Sequence, residues 1–274
     1  MLNLLRADWL KLKWTKLPWI TLLGVLGLLL IYIGAGQSAF MSTGNNGVLG
    51  VGIGFLSGHY ADIQQPLLGE VIRTALSYTA FFWLLMLVFS IQFYAKEYTG
   101  NTIKLAIAYG HSRVKIYLSK VMVILIYSAI TYYTFILGVF THASISVNYQ
   151  VLPTDIPTLL GVITLNYLVM IVFILITLLL CMTVKNIGIV AASMCFYTIG
   201  GAIVYMSEYY NLISNQVSIP VKAFIGTHPM YYWLTISNYN FNDNIINNAI
   251  IYGIVASIIL FSASCMYLRK QEVK

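Results

Sequence analysis

Charged, turn-forming and capping residues crowd together in Lys96-Glu-Tyr-Thr-Gly-Asn-Thr-Ile-Lys104, followed by Ser112-Arg-Val-Lys115 and Ser119-Lys120. Gly100 permits a tight turn. Thr99 or Asn101 then caps a short helix holding Thr102, Ile103 and Leu105. Such a helix lies on a membrane face, polar groups outward and apolar side inward. Arg113, Lys115 and Lys120 anchor the return into the next span. On charge alone, the same residues also read as ordinary positive charges on the inner side of a membrane.

Bond-making chemistry has little to work with. The chain contains no H-E-x-x-H, no Ser-His-Asp ordering and no ATP-binding loop. The glycine-rich stretch 37–70 lacks the Lys-Ser/Thr that follows a phosphate-binding loop and reads as a compact extracellular loop. His59, His111, His142 and His228 fall in loops, apart from one another, which gives no metal-binding pattern. Cys181, Cys195 and Cys265 lie in apolar runs without C-x-x-C spacing, as small buried or lipid-facing side chains do. All eight acidic residues fall in loops or at span ends. An ion-coupled carrier needs ionisable groups near the bilayer centre, and an intramembrane enzyme needs a polar cluster at mid-depth. Neither is expected here, so any driving force comes from another polypeptide.

The elements that carry these residues follow from composition. Of 274 residues 59% are hydrophobic and 8% charged, with a mean hydropathy of +0.83. A soluble domain carries roughly 25% charged residues, so most of this surface must face lipid. The expected fold is all-α and polytopic, one membrane domain over 1–274. An amphipathic interfacial helix covers 1–16, with Leu2, Leu5, Trp9 and Leu12 on one face and Arg6, Lys11 and Lys13 largely off it. Six spans follow at 17–36, 74–95, 121–140, 158–184, 187–206 and 249–268. Thr15 is the expected N-cap of the first span, and Thr154 or Asp155 that of the fourth, with Pro18 and Pro157 in their first turns. A cytoplasmic segment covers 96–113. Within the extracellular segment 207–248, Ser218-Ile-Pro220 and Thr227-His-Pro229 predict two short helices whose aromatic faces (Phe224; Tyr231, Tyr232, Trp233) lie at the outer interface.

Thirteen of the fifteen Lys and Arg residues fall in the N-terminal segment, the loop after span two, the turn at Lys185 and the C-terminal tail. Only Arg73 and Lys222 fall on the other side. That bias places both termini in the cytoplasm. The net charge of +7 therefore reads as topology signals and contacts with anionic headgroups, not as a nucleic-acid surface.

The 96–120 stretch resembles the signature loop of the type-2 ABC exporter permeases: an acidic residue, Gly-x-Thr, a basic residue, then Ser-Arg and Ser-Lys leading into the third helix. The matching residues are Glu97, Gly100, Thr102, Lys104, Ser112, Arg113, Ser119 and Lys120. Asn101 stands where the family form has Gly directly followed by Thr, and Gly110-His111 where many members have Pro-Val or Gly-Val. The resemblance extends to the architecture: interfacial helix, six spans, short turn after span four, two outer helices before span six. It implies that the loop is a coupling helix docked in a cytosolic ATPase, with Glu97, Gly100, Thr102, Lys104, Ser112, Arg113 and Lys120 as ATPase-coupling residues. It also implies a second permease copy or paralogue, ATP and magnesium on the ATPase subunits and not on this chain, and a bacterial cytoplasmic-membrane location. The cargo it implies is a hydrophobic or amphipathic peptide, as in lantibiotic-immunity, bacitracin-resistance and phenol-soluble-modulin export systems. A multidrug exporter of the same family and a non-transport signalling or channel subunit are the rival readings.

Overall fold

The computed structural model describes residues 2–35, 68–99, 106–146, 149–184, 186–207, 218–237 and 243–272. Every long element among them is an α-helix: α1 (Leu2–Trp14), α2 (Lys16–Ala35), α3 (Leu68–Ser77), α4 (Thr79–Thr99) and α5 (Arg113–Ser146). After them come α6 (Asp155–Val184), α7 (Ile187–Ser207), α8 (Ile219–Thr227), α9 (Pro229–Ser237) and α10 (Asp243–Glu272). Among the described residues, five helices are long and apolar enough to cross a membrane: Lys16–Ile33, Arg113–His142, Asp155–Val184, Ile187–Val204 and Ile246–Lys270.

The stretch 74–95, expected as one span, is divided. The helix breaks at Tyr78 and leaves a shorter apolar helix, Thr79–Ala95. Thr79 Oγ1 donates to the Leu76 carbonyl (2.6 Å) and accepts a bond from Trp233 Nε1 (2.6 Å). The indole of α9 thus pins the break. Trp233 is fully buried and packs at 6.0 Å from Trp83. The sequence led one to expect this ring on an aromatic face at the outer interface; it is turned into the bundle instead. Its indole N–H has an acceptor there, as buried indoles usually do.

The hub of the bundle is α6, which touches α3, α4, α5, α7, α9 and α10. Its sequence is apolar all round, as a helix surrounded by other helices or lipid requires. Around it α2, α7 and α10 expose long apolar faces, including Leu23, Leu30, Phe196, Ile203, Ile254 and Ile258. In water such faces would be untenable; against hydrocarbon they are not. The protein is membrane-embedded.

Caps differ from expectation in instructive ways. Thr15 precedes α2, but its hydroxyl donates back to the Leu12 carbonyl (3.2 Å) and closes α1 instead. Asp155 opens α6, and its Oδ2 accepts from Leu152 N (3.0 Å) and Tyr149 Oη (2.6 Å), tying the preceding connector to the helix start. Ser218 sits in extended conformation before α8 without a side-chain cap bond. His142, expected in a loop, lies in α5, which runs on to Ser146; its ring meets Tyr32 edge-on at 5.3 Å.

Candidate functional site at the basic end of the bundle

The connection between α4 and α5 is bounded on both sides by helix. Glu97 falls in the last turn of α4. Gly100, Thr102 and Lys104 lie outside the described residues, as does the short helix expected around them. Residues 106–108 form a helical turn that ends in a Schellman arrangement: His111 N bonds the Ala106 carbonyl (3.2 Å) and Gly110 N the Ile107 carbonyl (2.8 Å). Gly110 has φ +83°, a backbone conformation that a Cβ disfavours. Gly110 thus shapes the turn that leads into α5.

Ser112 then starts α5. Its carbonyl accepts the first helical bond from Ile116 N (3.1 Å), and its Oγ accepts a longer one from Lys115 N (3.4 Å). This is an N-cap in the ordinary sense, satisfying one of the four orphan donors of a helix start. Arg113 is half-buried in the first turn and Lys115 is exposed. Tyr109 and Ile107 are exposed beside them.

Two turns further along α5, the arrangement becomes one that sequence reasoning missed. Lys120 is 1% exposed, and its Nζ lies 3.1 Å from Asp8 Oδ1 of α1. Ser119 Oγ donates to Asp8 Oδ2 at 2.6 Å, so both carboxylate oxygens are engaged. The Phe93 ring of α4 faces the ammonium at 5.6 Å, within cation–π reach. Asp8 therefore does not sit in a loop or on the wet side of an interfacial helix. It is buried between Leu5 and Leu12 on the face α1 turns to α5, while Trp9 is exposed. The signal was present: Asp8 stands three residues after Leu5 and four before Leu12, inside the apolar stripe of an otherwise basic segment. Tyr127 Oη adds a bond to the Pro18 carbonyl (2.7 Å), fastening α2 to α5 at the same end.

A second polar group of residues lies between α5 and α6, where no mid-depth cluster was expected. Tyr132 Oη donates to Asn166 Oδ1 (2.9 Å), and Tyr167 Oη bonds the Leu125 carbonyl (2.7 Å) beside Ser128 Oγ (3.1 Å). Asn166 is fully buried, and its Nδ2 has no partner among the described residues. The cluster contains no carboxylate, ammonium or imidazole, so it offers hydrogen bonds but no general acid or base near neutral pH. Asn166 is the single amide in the apolar run of α6, which is the mark that could have revealed it.

The third polar feature is His228, between α8 and α9. Its Nδ1 accepts from Met230 N (3.1 Å), which makes the histidine, not Thr227, the N-cap of α9. Thr227 instead donates to the carbonyls of Ala223 and Phe224. With Nδ1 accepting, the proton sits on Nε2 and is donated to the Tyr197 carbonyl of α7 (3.1 Å). A Cβ at Gly201 would collide with the imidazole, so glycine there makes the seat. Burial lowers the His228 pKa from 6.5 to about 4, with the Tyr197 bond opposing the shift.

No family model matches this chain, and neither a curated protein nor a solved structure matches it.

Proposed function

We propose that this chain is the membrane-spanning subunit of an ABC exporter, moving a hydrophobic or amphipathic substrate, with peptide as the leading class. In this reading α3 and α4 together make a sixth crossing, because an apolar stretch of about 17 residues is at the lower limit of a span. Both termini and the 96–113 segment then face the cytoplasm of a bacterial cell. ATP and magnesium belong to a cytosolic ATPase pair, and a second permease copy or relative completes the pathway.

The observation that carries the reading is the mechanical linkage at the basic end. With 34 residues, α5 is about 51 Å long, against about 30 Å of hydrocarbon. In this reading the excess length lies at its capped start, on the side of the connection to α4. Asp8 joins that end to α1, and Phe93 joins it to α4. A push or pull delivered to the connection is thus shared among three helices. Rigid elements with a buried, charge-registered joint are what transmission of work between subunits requires.

The test is whether an ABC ATPase co-purifies with the chain from its native membrane, followed by measurement of ATP hydrolysis. Glu97→Ala and Arg113→Ala are expected to abolish stimulation of the ATPase by the permease while the permease still folds. Full stimulation in both variants, or failure of any ATPase to bind, would end the reading and favour a signalling or channel subunit.

A further inference from the structure

From its sequence α1 should lie on the bilayer by the face that holds Leu5 and Leu12. That face is turned to α5 instead, and Asp8 between the two leucines meets Ser119 and Lys120. A second stripe is left on the far side of α1: Ala7, Leu10 and Trp14, at spacings of three and four, all exposed. The exposed Arg6 and Lys13 flank it. Trp14 is 82% exposed, and Trp19, in the first turn of α2, is 58% exposed.

The elbow between α1 and α2 has a defined shape. Thr15 N bonds the Lys11 carbonyl (3.0 Å), Thr15 Oγ1 donates to that of Leu12 (3.2 Å) and Trp19 Nε1 to that of Lys13 (3.3 Å). The carbonyls left over at the end of α1 are thereby largely satisfied within the chain.

Its depth is set by α5. Tyr127 Oη holds the Pro18 carbonyl, Leu29 lies against Gly138 and Tyr32 against His142, so α2 and α5 run side by side in the same direction. The apolar run between Lys16 and Gln37 is about 30 Å long as helix, the thickness of the hydrocarbon layer. A span that needs its whole apolar run to cross must begin at the hydrocarbon boundary. Asp8 meets α5 at Lys120, about 10 Å along the helix before Tyr127. That places α1 in the headgroup layer, with Lys13, Trp14, Lys16 and Trp19 at its hydrocarbon edge.

The surroundings name the occupant. The exposed elbow is followed along the chain by Ile20, Leu23 and Leu26, exposed on a span and covered by lipid. Exposed charge at the elbow has one sign: Arg6, Lys13 and Lys16 are exposed, while Asp8, the one acidic residue of α1, is buried and paired. A second copy laid here would set these cations against each other. Basic residues interleaved with exposed tryptophan favour a negatively charged headgroup over a zwitterionic one.

We infer that the α1–α2 elbow binds an anionic phospholipid selectively, its phosphate at Lys13 and Lys16 and its upper acyl chain against Trp14 and Trp19. This goes beyond the transport reading and stands apart from it.

The experiment uses the full chain in phosphatidylcholine nanodiscs in which about a tenth of the lipid is brominated near the top of its acyl chain. The brominated lipid is phosphatidylglycerol or, as the control, phosphatidylcholine. Bromine quenches tryptophan at short range, and Trp83 and Trp233 are buried, so the signal reports on Trp9, Trp14 and Trp19. Brominated phosphatidylglycerol is expected to quench as strongly as an about fivefold higher fraction of brominated phosphatidylcholine. Lys13→Gln combined with Lys16→Gln should bring the two lipids level, and Lys13→Arg with Lys16→Arg should keep the preference. Arg269→Gln with Lys270→Gln removes the same charge from the end of α10 and should leave the preference intact. Equal quenching by the two lipids in the unaltered protein, or a preference that survives Lys13→Gln with Lys16→Gln, would overturn the inference. So would an equal loss in the α10 variant, which makes the effect a diffuse attraction to net charge. Displacement by soluble glycerol phosphate at constant ionic strength would overturn it too, by assigning the elbow to free anions.

Discussion

Asp8 and Lys120 show how a single acidic residue can change the role of a segment. Either residue alone would be a heavy burden in an apolar interior, because stripping a charge of water costs several kcal/mol. Together, with Ser119 completing the carboxylate's bonds, they define one register between α1 and α5. Lys120→Met should cost about 3–5 kcal/mol, because it leaves Asp8 buried and unpaired. In a protein this size that corresponds to an apparent Tm lower by on the order of ten degrees. The double variant Asp8→Leu/Lys120→Met should recover most of the loss. Thermal melts of the four proteins in one detergent would decide it: two independent, additive losses would mean the pair is not a joint. Lys120 was expected to anchor the chain's return at the membrane surface, but its charge is turned inward to α1.

At the scale of elements, α8, His228 and α9 form a docked unit held on α7 through the Tyr197 carbonyl and the space left at Gly201. The imidazole is needed neutral, since protonating Nδ1 removes the acceptor for Met230 N. Its folded pKa of about 4 lies below the ordinary 6.5, so between these values the unfolded chain binds more protons than the folded one. Stability from this contact is therefore complete above pH 6.5, is lost as pH falls toward 4, and changes no further below that. Apparent Tm should drop through this window, and His228→Asn, which keeps an acceptor but does not titrate, should remove that component of the drop. An unchanged pH profile in His228→Asn would refute the assignment. The two short helices were legible from the Ser218-x-Pro and Thr227-x-Pro spacing, although His228 and not Thr227 caps the second, because proline in the first turn is a local signal. Their destination was not. Nothing local distinguishes a tryptophan bound for the membrane surface from one that reaches Thr79 across 154 positions of chain.

For the whole molecule, the even number of crossings in the proposed topology puts both termini on one side. Single cysteines at positions 3 and 271, in a background with Cys181, Cys195 and Cys265 replaced, should both react with a membrane-impermeant maleimide only from the cytoplasmic side. A cysteine at Ser218 should react only from the opposite side. Labelling of positions 3 and 271 from opposite sides would mean five crossings, with α4 not spanning.

Composition and the length of apolar runs were enough to determine a helical membrane protein, most of its helices and the shortness of the α6–α7 turn. The solvent preference of a 20-residue segment is a sum over its own residues, and a lone sequence contains that sum. The break at Tyr78, the buried Asp8–Lys120 joint and the Tyr132–Asn166 bond were decided only by tertiary structure. Each depends on which helix lies beside which. In an apolar interior a polar group is tolerated only where a partner from a distant segment satisfies it, and no local pattern encodes that partner.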